Sequence, residues 1–507
     1  MAHGVASIVE EAPKLHAFRR LRSLEFPGVL FFTILGFLVM GYHPGLEDDS
    51  IYLAAVKADL NPALFPFNAD FFRLQLQATV FDRWMADFVR WSRMPIDWAE
   101  MLWQLIALFL ILWAVKKIAN KLFAEENARW AGVALTAAMF TLPVSGTALY
   151  LADQHLHPRT LATAMILLAV WRILDRSFWQ AAALLAAACL MHPLMAAMGI
   201  SFCAFLCLAT IDSLRGRLHL WRGSVAFLVP LGWVFEPAQP GWRQALDTRT
   251  YYYLFRWTWY EWLGAIVPML FFGLLWRMAR KNGQTLQARF AAAVFGYAVF
   301  QQALAMVLLC SPALVRVTPW QPMRYLHLLY FLLMLTGGGL LGRHLLKRSV
   351  WRWALLLLAA NAGMLTWQCA EFADSYHLEL PGRAPGNDWL DAFAWIKGNT
   401  PVDATFALDP HYMEAPGEDY HGFRALAERS QLADAVKDAA VVTLVPELGP
   451  VWASQVKAET GWSTFRAADF EELKRHFGVN WVLVSSAQEA GLDCQWHNRS
   501  LAVCRIP

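Results

Sequence analysis

An all-α, multi-spanning membrane domain of about eleven helices, followed by a small α/β domain, is the architecture this sequence predicts. Three observations carry the prediction. The chain is 57% hydrophobic and only 16% charged, against about 45–50% apolar and about 25% charged for soluble proteins. Its apolar residues are gathered into eleven runs, at 26–41, 98–115, 130–149, 161–173, 178–190, 194–211, 225–235, 262–275, 290–309, 325–341 and 350–367. Its charge is also divided: residues 1–367 carry 32 Lys and Arg against 20 Asp and Glu, and residues 368–507 carry 11 against 20. The membrane domain is therefore placed at 1–367 and the α/β domain at 368–507. The acidic balance of the second part speaks against a nucleic-acid partner.

A full span takes about 20 residues, and the runs at 161–173, 178–190, 225–235 and 262–275 fall short of that. Basic residues in short loops set the orientation. With a cytoplasmic N-terminus, alternate loops hold 21 Lys and Arg inside, from Lys14 to Arg352, and 11 outside. The C-terminal domain is then extracytoplasmic, and periplasmic in a bacterial inner membrane. The run at 26–41 has no small-x-small site after it, so it reads as an uncleaved span.

The loop at 42–97 is long and patterned. Asp49 or Ser50 is placed to cap a short helix over 51–57. Phe81, Trp84, Met85, Phe88 and Trp91 recur at helical spacing, which predicts an amphipathic helix over 71–91, lying on the membrane surface or packed on the C-terminal domain. Met191-His192-Pro193 breaks two apolar runs, the first of 13 residues. Such a run covers about 20 Å of a roughly 30 Å core, so His192 is expected at the floor of a recess lining the substrate site. Gly337-Gly338-Gly339 lies in a span and predicts close helix packing. In the tail, helices are expected at 389–397 and 469–477 and strands at 404–408, 441–445 and 481–485. Cys494 and Cys504 flank Arg499 symmetrically, as partners across a hairpin would, and a disulfide is expected. Cys369 is expected to stay unpaired. Cys189, Cys203, Cys207 and Cys310 sit in apolar runs as packing residues.

Four groups are candidates for chemistry. Glu47-Asp48-Asp49 stands directly after the first span, and three adjacent carboxylates repel one another unless a cation or a proton-transfer role accounts for them. Asp48 is favoured as the base: Asp49 has a capping duty, and crowding is expected to raise the pKa of Asp48. Asp153, His155 and His157 form a second group that either shapes the site or, with an acid of the first loop, binds a divalent metal. Arg159 follows and suits a phosphate. Arg324 enters the run at 325–341 at membrane level, placed for a lipid-linked phosphate or for snorkelling. Arg256 lies inside an aromatic stretch from Tyr251 to Trp262 that is either an interfacial belt or a stacking surface for a ligand. Walker, Gly-rich phosphate-loop and His-Glu-x-x-His motifs are missing, and oligomeric state leaves no mark in the sequence.

With acids opening a long first loop, a surface helix in that loop, many further spans and an extracytoplasmic C-terminal domain, the chain resembles the GT-C superfamily of membrane glycosyltransferases. That superfamily includes protein O-mannosyltransferases, aminoarabinose transferases and oligosaccharyltransferases. The Trp-Trp-Asp-Tyr-Gly motif of the last group is missing, which argues against that branch. The resemblance implies a polyprenyl-phosphate-linked sugar as donor and a lipid bilayer as setting. It implies catalysis by a first-loop acid among Glu47, Asp48 and Asp49, with Arg324, Arg159 or Arg256 on the phosphate. A transporter of lipid-linked substrates, or a non-catalytic scaffold on the same fold, is the alternative.

Overall fold

The computed structural model describes residues 11–212, 239–488 and 491–507, with backbone alone at 11–24 and 75–76. The expected span at 225–235, with Arg215, Arg217 and Arg222, lies outside them. Of the other ten apolar runs, nine fall on a helix over nearly their whole length and the run at 130–149 only in its first half. Among the described residues, six helices are long and apolar enough to cross a membrane: Ile96–Leu122 (α5), Pro193–Thr210 (α9), Trp259–Lys281 (α11), Thr285–Cys310 (α12), Pro322–Leu346, whose α-helical part is Tyr325–Leu341 (α13), and Val350–Glu371 (α14). Glu11–Met40 (α1), Glu126–Ala138 (α6), Pro158–Leu174 (α7) and Phe178–Met191 (α8) complete the bundle.

Glycine lets two helices of the bundle meet backbone to backbone. A Cβ on Gly338 of α13 would stand 2.6 Å from the Ala131 carbonyl of α6, so the two backbones meet as close small-residue packing requires. The break at His192 falls between α8 and α9, where its Nδ1 accepts the Met195 N–H at 3.3 Å and serves as N-cap.

Three elements differ from expectation. The run at 130–149 is helical only to Ala138, and a two-stranded hairpin (β1, Pro143–Val144; β2, Leu149–Tyr150) follows. Pro143 lacks an N–H, and Gly146 turns the chain at φ +60°, so the segment folds back instead of spanning. The helix expected over 71–91 is two, Asp70–Leu76 (α3) and Phe81–Ser92 (α4). Between them the Val80 N–H donates to the Leu190 carbonyl at the end of α8. Residues 441–445 are not a strand but part of the helix Lys437–Leu444 (α17). Asp434 accepts N–H bonds from Val436 at 2.9 Å and Asp438 at 3.2 Å at its start. Val441 and Val442 are buried in the core they share with the bundle, beside Trp242 of Pro240–Asp247 (α10).

In the tail, Asp388–Asn399 (α15) and Ala467–Phe477 (α19) match the expected helices, and the short helices Phe423–Ala427 (α16) and Gly449–Ala458 (α18) lie between them in the chain. A five-stranded sheet runs in the order β4-β3-β5-β7-β6. Thr405–Ala407 (β3) pairs in parallel with Ser430–Gln431 (β4) and Trp481–Ser485 (β5), and Asp493–His497 (β6) and Leu501–Arg505 (β7) close it antiparallel. Cys494 and Cys504 face each other across that hairpin and are joined by a disulfide; Cys369 is free. Two apolar clusters fill this sheet domain, while Ala439, Val441 and Trp452 belong to the core of the helical bundle.

Candidate active site

The first loop turns sharply after α1. Gly45 takes φ +79° and Glu47 φ +52°, which presents Glu47 and Asp48 just before Asp49–Leu60 (α2). The C-terminal domain holds this turn in place: Gly422 N–H donates to Gly45 O at 2.8 Å and Glu47 N–H to Tyr420 O at 2.9 Å. Above it opens a cavity of about 1190 Å³ lined by loop, bundle and C-terminal residues.

Asp48 stands at the focus of a cationic shell. Lys437 Nζ of α17 is 3.1 Å from Asp48 Oδ1 and also pairs with Glu47. His157 Nε2 lies 3.5 Å from Asp48 Oδ2 and Arg159 Nη1 lies 4.0 Å from the same oxygen. The His157 tautomer follows from its partners. Nδ1 accepts the Arg159 N–H at 2.8 Å, so the proton sits on Nε2 and points at Asp48. Burial, and then the Arg159 charge, push His157 down to about 4, so it is neutral at physiological pH. Burial works to raise the Asp48 carboxyl, but Lys437, His157 and Arg159 together hold it well below the carboxylate range. The rise expected from like-charge crowding is therefore reversed, because the tail brings a cation that the local sequence does not contain. The Asp48 side chain keeps 36% of its surface accessible.

Asp49 does not face the cavity and does not cap α2. Its Oδ2 accepts the Gly45 N–H at 2.6 Å, and it lies beneath the turn at 2% exposure, where burial raises its pKa. Asp153 does line the cavity, but its carboxylate is gripped by Arg159 at 2.6 and 3.3 Å, which holds its pKa down against burial. His155 and His192 line the same space, and both ring nitrogens of His155 are buried without a hydrogen-bond partner. Arg324 reaches the cavity from the start of α13, steadied by Nε donation to Gln321 Oε1 at 2.7 Å. Gln321 in turn donates to the Tyr252 hydroxyl at 2.9 Å. The structure thus brings together Glu47, Asp48, Asp153, His155, Arg159, His192 and Arg324. Arg256 is not among them: it lies 5.1 Å over the Tyr253 ring, while Tyr251 and Tyr252 line the cavity.

Two cavity cations escaped the sequence reading. Lys437 precedes the segment 441–445 expected as a strand, and it meets acids 390 and 389 positions away. Arg249 precedes the aromatic stretch, and its position beside Tyr251 was the available signal. Nε and Nη2 of Arg249 and Nη1 of Arg159 are buried with no hydrogen-bond partner, an arrangement that costs free energy unless an anion completes it. Among the described residues, no three cavity side chains bring metal-ligating atoms together.

No protein-family model matches the chain, and no curated protein does either. Among solved structures it is similar to the archaeal oligosaccharyltransferase AglB from Archaeoglobus fulgidus, in complex with an inhibitory peptide and a dolichol-phosphate. The match has 15% sequence identity and a TM-score of 0.23, and covers 90% of this chain and 57% of that one. The chain therefore spans little more than half of that protein's length. So slight an overlap carries no argument about chemistry, which has to come from the cavity itself.

Proposed function

We propose that the protein is a membrane glycosyltransferase of GT-C type that moves a sugar from a polyprenyl-phosphate donor to an acceptor entering the cavity. The observation that supports it best is that an accessible carboxylate, Asp48, shares the cavity with guanidinium groups whose N–H bonds lack partners, at the end of the bundle where the C-terminal domain sits. The acceptor's nucleophilic atom bonds to the anomeric carbon as the bond from that carbon to the phosphate oxygen breaks, on the opposite face and with inversion. Arg249, Arg324 and Arg159 take up the negative charge that builds on the departing polyprenyl phosphate. Asp48 orients the acceptor and receives its proton late, when an oxocarbenium-like carbon has already made that proton acidic. A carboxylate held ionised suits such a step better than a strong base would. His157 Nε2–H and Lys437 fix the Asp48 carboxylate in position before the acceptor arrives.

Binding of the leaving product tests the cationic half of this reading. Purified protein should bind a polyprenyl phosphate, and Arg249→Gln and Arg324→Gln should each weaken binding about 10- to 100-fold, as loss of a hydrogen bond to a charged group implies. Asp48→Asn should leave it within a few-fold. Arginine variants that bind as tightly as wild type would remove the phosphate assignment.

A further inference from the structure

Outside the cavity, three chain segments remote in sequence converge on one carboxylate. His43 precedes the first-loop turn, Glu379 follows α14, and His421 belongs to the C-terminal domain. His43 Nδ1 is 3.0 Å from Glu379 Oε1, and His421 Nε2 is 3.0 Å from Glu379 Oε2. One ligand-type atom from each residue lies within 4.8 Å of the other two. Both histidines are fully buried, and the Glu379 side chain is 11% exposed. The backbone around them is pinned independently. Glu379 N–H donates to Tyr42 O at 2.9 Å and His43 N–H to Gln154 O at 2.8 Å, and Leu46 bridges to His421.

We propose that His43, Glu379 and His421 bind a divalent transition metal, zinc by its donor set, and that the ion clamps the C-terminal domain to the first loop beside the cavity. Two imidazoles and a carboxylate are ligands zinc takes. With zinc–ligand bonds of about 2.0–2.2 Å, tetrahedral ligands stand roughly 3.3 Å apart, a value bracketed by the 3.0 Å from each imidazole to its own Glu379 oxygen and the 4.8 Å that bounds all three ligand atoms. Glu418 stands where the outer partner of a metal-bound imidazole is needed. Its Oε1 is 3.5 Å from His421 Nδ1, and its side chain is fully buried. Charge also balances, since a dication between neutral imidazoles offsets the two buried carboxylates, Glu379 and Glu418. The site stands apart from Asp48, and its existence does not depend on the transferase reading.

The test uses the full-length protein in detergent, stripped with a chelator, re-exposed to zinc and passed through a desalting column before elemental analysis. Wild type should retain about one zinc per chain, the number this single group admits. Asp48→Asn and His155→Asn should retain it equally, while Glu379→Gln and His421→Asn should lose it. X-ray absorption of the wild-type zinc adds a readout that does not depend on how the variants fold, and two imidazoles should appear in its coordination shell. Failure of wild type to retain zinc would overturn the proposal. So would retention by the Glu379 and His421 variants, loss in the cavity variants, or a spectrum without two imidazoles.

Discussion

Asp48 and Lys437 are the residues whose pairing changes the chemistry most. A carboxylate ringed by Lys437, His157 and Arg159 stays ionised far into acid. Lys437→Gln removes its nearest cation, so the Asp48 titration should move up and the acid limb of the transfer-rate profile should shift to higher pH. An unmoved limb would show that another group controls it. His157 gives a stability effect of definite sign. Its folded pKa is about 4, against about 6.5 when unfolded. Between those values the unfolded chain binds more protons, so stability present above pH 6.5 is lost as pH falls toward 4, at up to about 1.4 kcal/mol per unit. Thermal melts across that window should show the slope in wild type and a flatter one in His157→Asn; equal slopes would contradict the assignment. At this scale the sequence showed Glu47, Asp48, Arg159 and Arg324, because each stands at the mouth of an apolar run. It could not show Lys437, whose partners are brought to it only by the fold.

At the scale of elements, apolarity made the helices legible, six of them among the described residues long enough to span a membrane, and side-chain propensity misled. Val441-Val442-Thr443-Leu444-Val445 has the composition of a strand, yet the capping by Asp434 and burial against α10 make most of it a helix. The hairpin at 143–150 was hidden by its apolar flanks, although Pro143 and Gly146 signalled a turn. The seam between α2 and the C-terminal domain is where elements control the site. A Cβ on Gly422 would fall 2.1 Å from the Ser50 Cβ, a separation that forces the segments apart. Gly422→Ala should therefore lower transfer at least tenfold, through displacement of Asp48 and Lys437, while the membrane helices stay folded. Circular dichroism and turnover measured together check this; full turnover would show that the seam is dispensable.

For the molecule as a whole, the acidic tail and the basic membrane part, separate in the sequence, are joined in the structure. Lys57 of α2 pairs with Glu428 at 2.9 Å, and Lys437 crosses the other way to Glu47 and Asp48. The C-terminal domain is thus a wall of the cavity and supplies one of its charges, a role that sequence position alone concealed. The central claim is sugar transfer from a polyprenyl phosphate with Asp48 as the acceptor's base, and one measurement bears on it most directly. Purified wild-type protein and Asp48→Asn are incubated with a panel of radiolabelled polyprenyl-phosphate sugars, and release or transfer of label is followed. The account predicts turnover of at least one donor by wild type and a loss of about 10²- to 10⁴-fold in Asp48→Asn, the usual contribution of a general base, with polyprenyl-phosphate binding retained. Full turnover by Asp48→Asn would contradict the assignment of the base, and no turnover of any donor by wild type would contradict the glycosyltransferase reading itself.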